Sequence, residues 1–528
     1  MRARQGGAVI ESVSAMQVQR AAAGWASRTL FVAVWLAAVA SQAAEPAVWP
    51  TQGWPTSSPE EQGMASAALA ELVDFGAAND MDSMLVVRHG RVVLDATYAP
   101  FRPGMKHTVN SVTKGVVGTL AGIALKEGKL DRLDAPVLDF FSGRSVANAD
   151  AHKKAMTIEH LLDSTSGLSW REPLSNEPPE TALQMERSAD WIGFVLDRPM
   201  AQAPGLSFNY DSGGWHLVSA IVGRQTGSDA LEYARQKLFA PLGITDVIWR
   251  RDPQGIPIGG FGLYMQPRDM AKIGYLYLRG GEWAGQQLLP PDWVPKLLQA
   301  RVDMRIGPFR YANGWWTLPD KRAYMAVGFL RQLIIVLPEI DTVAVVTGRK
   351  HYPFNELIDR IVDAARSPVP LAADALGSAR LAERIADAGV EKRSPTAPTP
   401  GLAPAISGKT YRFAANPVGL RSLKLDLTPG HARYDSTFAP AVPSALPRRF
   451  EGPLGLDGLF RVREPQGSEP PLAAKGNWLG DSAFQIVVRS LPEGIVSSYR
   501  LTFNGQRVDV AFDDNRGVRA RFQGQADD

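Results

Sequence analysis

The sequence predicts an α+β domain, an antiparallel sheet flanked by helices, followed by a small all-β domain. Three observations carry this expectation. Two hairpin-like stretches, at residues 84–97 and 329–347, lie far apart and enclose a long segment with helical periodicity. Strands at both ends with helices between them suit a sheet shared by the two ends of the domain, with the helices gathered beside it. A proline-rich break follows at 394–404, and beyond it come short runs that alternate between turn residues.

The first elements precede the sheet. Arg20 and Arg28 lead into the apolar run 29–40 (TLFVAVWLAAVA), and small residues follow at 41–44. This is the pattern of an export signal over residues 1–43, with cleavage near Ala43. The run is shorter than the roughly 20 residues that span a bilayer, so a cleaved signal and a periplasmic or secreted chain are expected, with no stable membrane span after removal. Residues 1–43 carry four arginines against Glu11, a net +3, so their loss takes the formal +3 of the whole chain to zero. A polyanion partner such as nucleic acid has no electrostatic footprint here.

Residues 84–97 (MLVVRHGRVVLDAT) are two β-branched runs on either side of His89-Gly90, the pattern of a hairpin. Residues 111–127 (SVTKGVVGTLAGIALKE) are apolar or small almost all round, which marks a buried helix, and Gly128 is placed to end it. Helical segments follow at 157–163, 191–196 and 214–226. A second hairpin is expected from 329–337 (FLRQLIIVL) and 342–347 (TVAVVT), joined by Pro338 to Asp341, with a helix at 355–366. These elements define a domain over 44–370. Four prolines in 394–404 favour an extended linker, set at 371–405. Residues 406–528, with strand-like segments at 422–427, 483–488, 497–503 and 507–512, form the all-β module, and no catalytic constellation lies in it.

Composition narrows the chemistry. At 528 residues, 45% hydrophobic and 21% charged, the chain can bury a large core in at least two domains. It has no cysteine, which removes thiolate nucleophiles, disulfides and cysteine-ligated zinc. Its seven histidines form no His-x-x-x-His pair and no calcium-loop pattern occurs, so no metal or other cofactor is expected.

The sharpest motif is Ser111-Val112-Thr113-Lys114 at the start of the buried helix. At a spacing of three the lysine lies on the serine's side of the helix, and burial lowers a lysine pKa, which favours the neutral amine that can accept the serine proton. A helix N-terminus also favours the negative charge that develops on an attacked carbonyl oxygen. A Ser-x-x-Lys tetrapeptide occurs on the order of once by chance in a chain this long, so its company matters. Tyr210-Asp211-Ser212 precedes the helix at 214, where a phenol could relay protons. Ala326-Val327-Gly328 enters the expected strand at 329, whose edge could offer an N–H to an oxyanion.

In order and approximate spacing these three motifs resemble those of the serine β-lactamase and penicillin-binding-protein superfamily, in its class C β-lactamase-like branch. Further text is similar to that family: the stretch from His160 to Leu168, Gly262-Leu263-Tyr264-Met265, and Gly280-Gly281-Glu282-Trp283-Ala284-Gly285 leading to Leu289-Pro290. The resemblance runs from about residue 60 to 366. It implies a β-lactamase/transpeptidase-like fold with an all-helical subdomain, and acyl transfer with Ser111 as nucleophile and Lys114 and Tyr210 moving protons. It further implies an oxyanion hole from the backbone N–H groups of Ser111 and Phe329, with Ser212, Ala326 and Gly328 against the substrate. Ser212 stands where many relatives carry asparagine.

Departures bear on the substrate. Ala326 replaces the lysine of typical β-lactamases, so no cation faces a substrate carboxylate there, and an esterase, amidase or peptidase fits better than a β-lactamase or D-alanyl carboxypeptidase. Arg331 stands where such relatives often have glycine, placed either to bind a substrate anion or to obstruct the cleft. The expected partner is a small-molecule ester, amide or peptide; the sequence leaves the oligomeric state open. A module that binds without turnover remains the reading from another class, opposed by the intact Ser111, Lys114 and Tyr210.

Other signals are weighed against these. Asp211 to Gly214 echoes the nucleophile loop of trypsin-like proteases, but it reads as loop then helix, and no Gly-x-Ser-x-Gly elbow occurs. His160 and His216 sit in apolar helical stretches as hydrogen-bonded structural residues. Trp170, Trp215, Trp315 and Trp316 suit core packing or a cleft wall, and Arg268 with Asp269 suit a helix-capping pair.

Overall fold

The computed structural model describes residues 48–174, 179–300, 302–440, 447–465 and 470–527. The expected export signal at 1–43 lies outside them. No helix among the described residues is long and apolar enough to cross a membrane.

Eight described strands form the first sheet in the order Arg91–Thr97, Met81–Arg88, Thr342–Gly348, Gln332–Leu337, Ala323–Gly328, Trp315–Leu318, Arg310–Ala312 and Val302–Asp303. Met81–Arg88 pairs antiparallel with Thr342–Gly348, Leu85 opposite Val345, so the two ends of the domain meet in one sheet. Both of these strands are buried along their whole length. The apolar runs 84–87 and 343–346, without alternation, suit strands covered on both faces.

The strand read as 329–337 begins at Gln332, and the ladder to its left is a separate strand, Ala323–Gly328, paired with it from Tyr324–Val336 to Gly328–Gln332. Phe329, Leu330 and Arg331 form the turn between them, Leu330 and Arg331 at φ 59° and 66°. Apolar Phe329 and Leu330 made a tight turn look like strand. Arg268 and Asp269 are not a capping pair either: Gln266 takes the N-cap position of Pro267–Leu278, Arg268 pairs with Asp95 at 2.7 Å and Asp269 faces Lys272 at 3.6 Å.

The helix Val112–Lys126 crosses this sheet, buried from Val112 through Ala124. Gly118 faces the turn between Arg310–Ala312 and Trp315–Leu318 so closely that a Cβ there would stand 2.4 Å from the Asn313 carbonyl oxygen. Alanine in an open helix gains about 1 kcal/mol over glycine. Here the collision with backbone outweighs that gain, and Gly118→Ala is expected to lower stability by roughly 1–3 kcal/mol, the usual cost of overpacking. A thermal unfolding curve of the variant reads the sign, and a raised midpoint would refute this packing.

Between the two halves of the sheet the chain is mostly helical. Ile158–Leu162 starts at Thr157, whose hydroxyl and the His160 ring form a capping box, and Trp191–Leu196 is capped by Asp190. Ser212–Thr226 is capped by Asp211, whose carboxylate accepts from Gly214 N–H at 2.8 Å. His216 is buried and bonded to Asp252 at 3.0 Å, so both histidines serve structure.

The segment 371–405 is not extended throughout. Asp374 caps a helix, Ala375–Ala388, that packs on Ser66–Ala78 of the first domain, and the proline-rich stretch follows it. A final sheet of ten described strands, from Thr410–Phe413 to Arg519–Ala526, curls until its two ends approach through a bridge between Gly455 and Lys475. It is a near-barrel with its own core around Phe484, Leu501 and Val508. Its Arg489 reaches buried Asp82 at 2.6 Å, and Thr108 N–H donates to the Pro492 carbonyl at 2.6 Å.

Candidate active site

Ser111 takes the N-cap position of the buried helix, yet its hydroxyl caps nothing. The preceding Asn110 is held at φ 47°, a left-handed conformation unusual outside glycine. Its amide Nδ2 donates to the Phe329 carbonyl at 3.1 Å, which ties the turn before Ser111 to the turn after Gly328. Ser111 is thereby left partly exposed on a cleft of about 540 Å³ whose walls also hold Glu172, Tyr210, Ser212, Gly328 and Arg331.

Lys114 lies one turn along and is 1% exposed. Its Nζ is 3.2 Å from Ser111 Oγ, 2.9 Å from Ser212 Oγ and 2.8 Å from the Gly260 carbonyl oxygen. Gly260 can come this near only as glycine, since a Cβ there would stand 2.7 Å from the Ser212 Cβ. Burial pushes the Lys114 amine down to about 8, against the opposing charges of Glu172 and Asp211. A substantial neutral fraction is therefore present in mildly alkaline solution.

Tyr210 is buried, and the Lys114 Nζ stands 4.4 Å from its ring centroid. Burial raises its phenol well above the ordinary value, while a hydrogen bond with Ser111 pulls the other way. The phenol is thus a protonated donor, and the Lys114 amine beside Ser111 is able to take a proton near neutrality.

The remaining residues fall in three places. Ser212, Gly328 and Phe329 line the cleft with Ser111 and Tyr210. Ala326 does not; it is buried under the helix, its Cβ 3.5 Å from where a Cβ on Gly115 would stand. Arg331 lines the cleft but is anchored: its Nε donates to the Tyr352 carbonyl at 2.7 Å and its guanidinium stacks 4.6 Å from the Phe354 ring centroid. Burial lowers its pKa, with Tyr352 opposing. Of the four tryptophans, Trp316 lines the cleft, Trp170 donates its indole N–H to Glu172, and Trp215 and Trp315 are fully buried.

Glu172 escaped the sequence reading. Its Oε1 accepts from Ser212 Oγ at 2.6 Å, and its Oε2 from Ser212 N–H at 2.9 Å and Trp170 Nε1–H at 2.7 Å. It stands in Ser169-Trp170-Arg171-Glu172-Pro173, a loop without periodicity, so no local pattern sets it apart from a surface carboxylate. Gly260, a backbone carbonyl 146 residues from Lys114, left no signal either.

A family model described as Beta-lactamase matches residues 61–366, more than half of the chain. The chain belongs to the beta-lactamase family. Among beta-lactamase-family relatives it is 25% identical over 285 residues to a 6-aminohexanoate-dimer hydrolase of Paenarthrobacter ureafaciens, covering 50% of this chain and 71% of that one. It is 28% identical over 178 residues to Esterase EstB of Burkholderia gladioli, covering 31% of this chain and 45% of that one. A Bacillus anthracis protein solved under the name of a 6-aminohexanoate-dimer hydrolase superposes with a TM-score of 0.50 at 19% identity, covering 60% of this chain and 87% of that one. That superposition bears on the fold, and both sequence relatives are named as hydrolases.

Proposed function

We propose that the protein is a serine hydrolase of small esters or amides that works through an acyl-enzyme. One observation carries the reading: the Lys114 amine, buried and lowered to about 8, stands 3.2 Å from Ser111 Oγ. Neutral Lys114 takes the Ser111 proton as Oγ bonds to the carbonyl carbon. Tyr210 then hands a proton to the departing alcohol or amine, recovering one by way of Lys114. Water attacks the acyl-enzyme, releases the acid and restores the Ser111 hydroxyl. The N–H groups of Ser111 and Phe329 are the proposed donors to the oxyanion, with Phe329 held by the bond from Asn110 to its carbonyl. The relatives named as an esterase and as a 6-aminohexanoate-dimer hydrolase support this substrate range.

The test is hydrolysis of p-nitrophenyl butyrate from pH 6 to 10. The base must be the neutral amine, so protonation of Lys114 below its pKa removes activity. We expect kcat/KM to rise about tenfold per unit on the acid side and level off above a midpoint near 8. A flat profile, or one that falls through this range, would rule Lys114 out as the base.

A further inference from the structure

We infer that Glu172 is a positioning residue that fixes, through Ser212, the direction in which the Lys114 amine presents its lone pair. The inference rests on the Ser111–Lys114 reading above. A neutral amine has two N–H donors and one lone pair, and three oxygens surround this one: Ser111 Oγ, Ser212 Oγ and the Gly260 carbonyl. The carbonyl can only accept, so it takes one N–H. The two serine hydroxyls are then equivalent, and either could accept the second N–H while the other donates to the lone pair.

Glu172 removes the degeneracy. Three donors converge on its carboxylate, the Ser212 hydroxyl at 2.6 Å, the Ser212 N–H at 2.9 Å and the Trp170 indole at 2.7 Å. With its proton directed at Glu172, the Ser212 hydroxyl can only accept from Lys114. Both N–H groups are then engaged, and the lone pair is left for the Ser111 proton, which is the alignment that proton removal needs. Without the carboxylate, Ser212 is free to donate to Lys114 and Ser111 to accept, a geometry in which the base faces the wrong hydroxyl.

The same carboxylate has an electrostatic effect of opposite sense. Lys114 faces Glu172 and Asp211, both of which hold its proton on against burial. Glu172 in turn faces Glu186, Asp211, Tyr210 and Tyr311. Neutralising Glu172 should therefore ease deprotonation of Lys114 while spoiling its direction.

The experiment is the ester pH profile of Glu172→Gln and Glu172→Asp beside the wild type. For Glu172→Gln we expect the plateau kcat to fall roughly 10- to 100-fold, the scale of a misplaced reacting group, and the midpoint of the acid limb to move to lower pH. Glu172→Asp keeps the charge and should keep the midpoint. Should the glutamine variant fail to fold, Ser212→Ala serves: it frees one Lys114 N–H to turn toward Ser111, so kcat should fall with the midpoint held. A fall in rate with no movement of the limb in Glu172→Gln, or no fall at all, would overturn the inference. Wild-type turnover that survives Ser111→Ala would instead overturn the hydrolase reading beneath it.

Discussion

Ser111→Ala is expected to lower kcat/KM for p-nitrophenyl butyrate by at least about 10³-fold, the scale lost when an activated nucleophile is deleted, with little change in stability. The two halves of this result follow from different features of one residue. Ser111 is partly exposed and its hydroxyl caps no helix N–H, so alanine creates no cavity and orphans no backbone donor. Lys114 keeps its contacts with Ser212 and Gly260, and the helix behind it remains buried from Val112 to Ala124. What is lost is the oxygen that, in the proposed mechanism, bonds to the carbonyl carbon. A fluorophosphonate that labels the wild-type chain should leave the variant unlabelled, and its thermal midpoint should match. Turnover within tenfold of wild type would place the nucleophile elsewhere.

The wild-type site was legible where chemistry is encoded at short range. Ser111 and Lys114 sit one helical turn apart, and Tyr210 and Ser212 flank a single N-cap residue, so spacing alone puts each pair together. The pairing of the domain's two ends was legible because hairpin-like stretches at 84–97 and 329–347 enclose a helical segment, an order that suits one shared antiparallel sheet. What stayed hidden is long-range or carried by backbone. Glu172 meets Ser212 across 40 residues and Gly260 meets Lys114 across 146, and a carbonyl has no residue type to betray it. The turn at Phe329 was hidden for another reason: its residues are apolar, while the left-handed conformations at Leu330 and Arg331 belong to the tight reversal and not to their side chains. The helix Ala375–Ala388 was missed because prolines at 395–404 drew the whole segment toward an extended reading.

The second large effect lies where the near-barrel meets the beta-lactamase-like domain. Asp82 is fully buried and accepts from Arg489 at 2.6 Å, Arg349 at 2.9 Å and His107 Nε2 at 3.1 Å. His107 begins the short strand that leads to Ser111, so one carboxylate joins the near-barrel to the approach to Ser111. Asp82→Ala leaves Arg489 buried without its partner, and a broken buried pair costs roughly 3–5 kcal/mol. We expect a loss of that size in urea unfolding at pH 7. Asp82→Leu with Arg489→Met should be more stable than Asp82→Leu alone, because removing both members spares the desolvation of an unpaired cation. The pH dependence has a definite sign. Burial pushes the Asp82 carboxyl up, but Arg489, His107 and Arg349 more than reverse this and hold it well below the usual carboxylate range. A depressed native pKa gives stability that is present above the unfolded value, about 4, and is lost as pH falls below it. The gap between wild type and Asp82→Ala should therefore be constant from pH 7 to about 5 and narrow by about 1.4 kcal/mol per unit below 4. A gap that stays constant down to pH 3, or that never reaches 1 kcal/mol at pH 7, would mean that the near-barrel is held by its apolar contacts and that Asp82 is incidental to its docking.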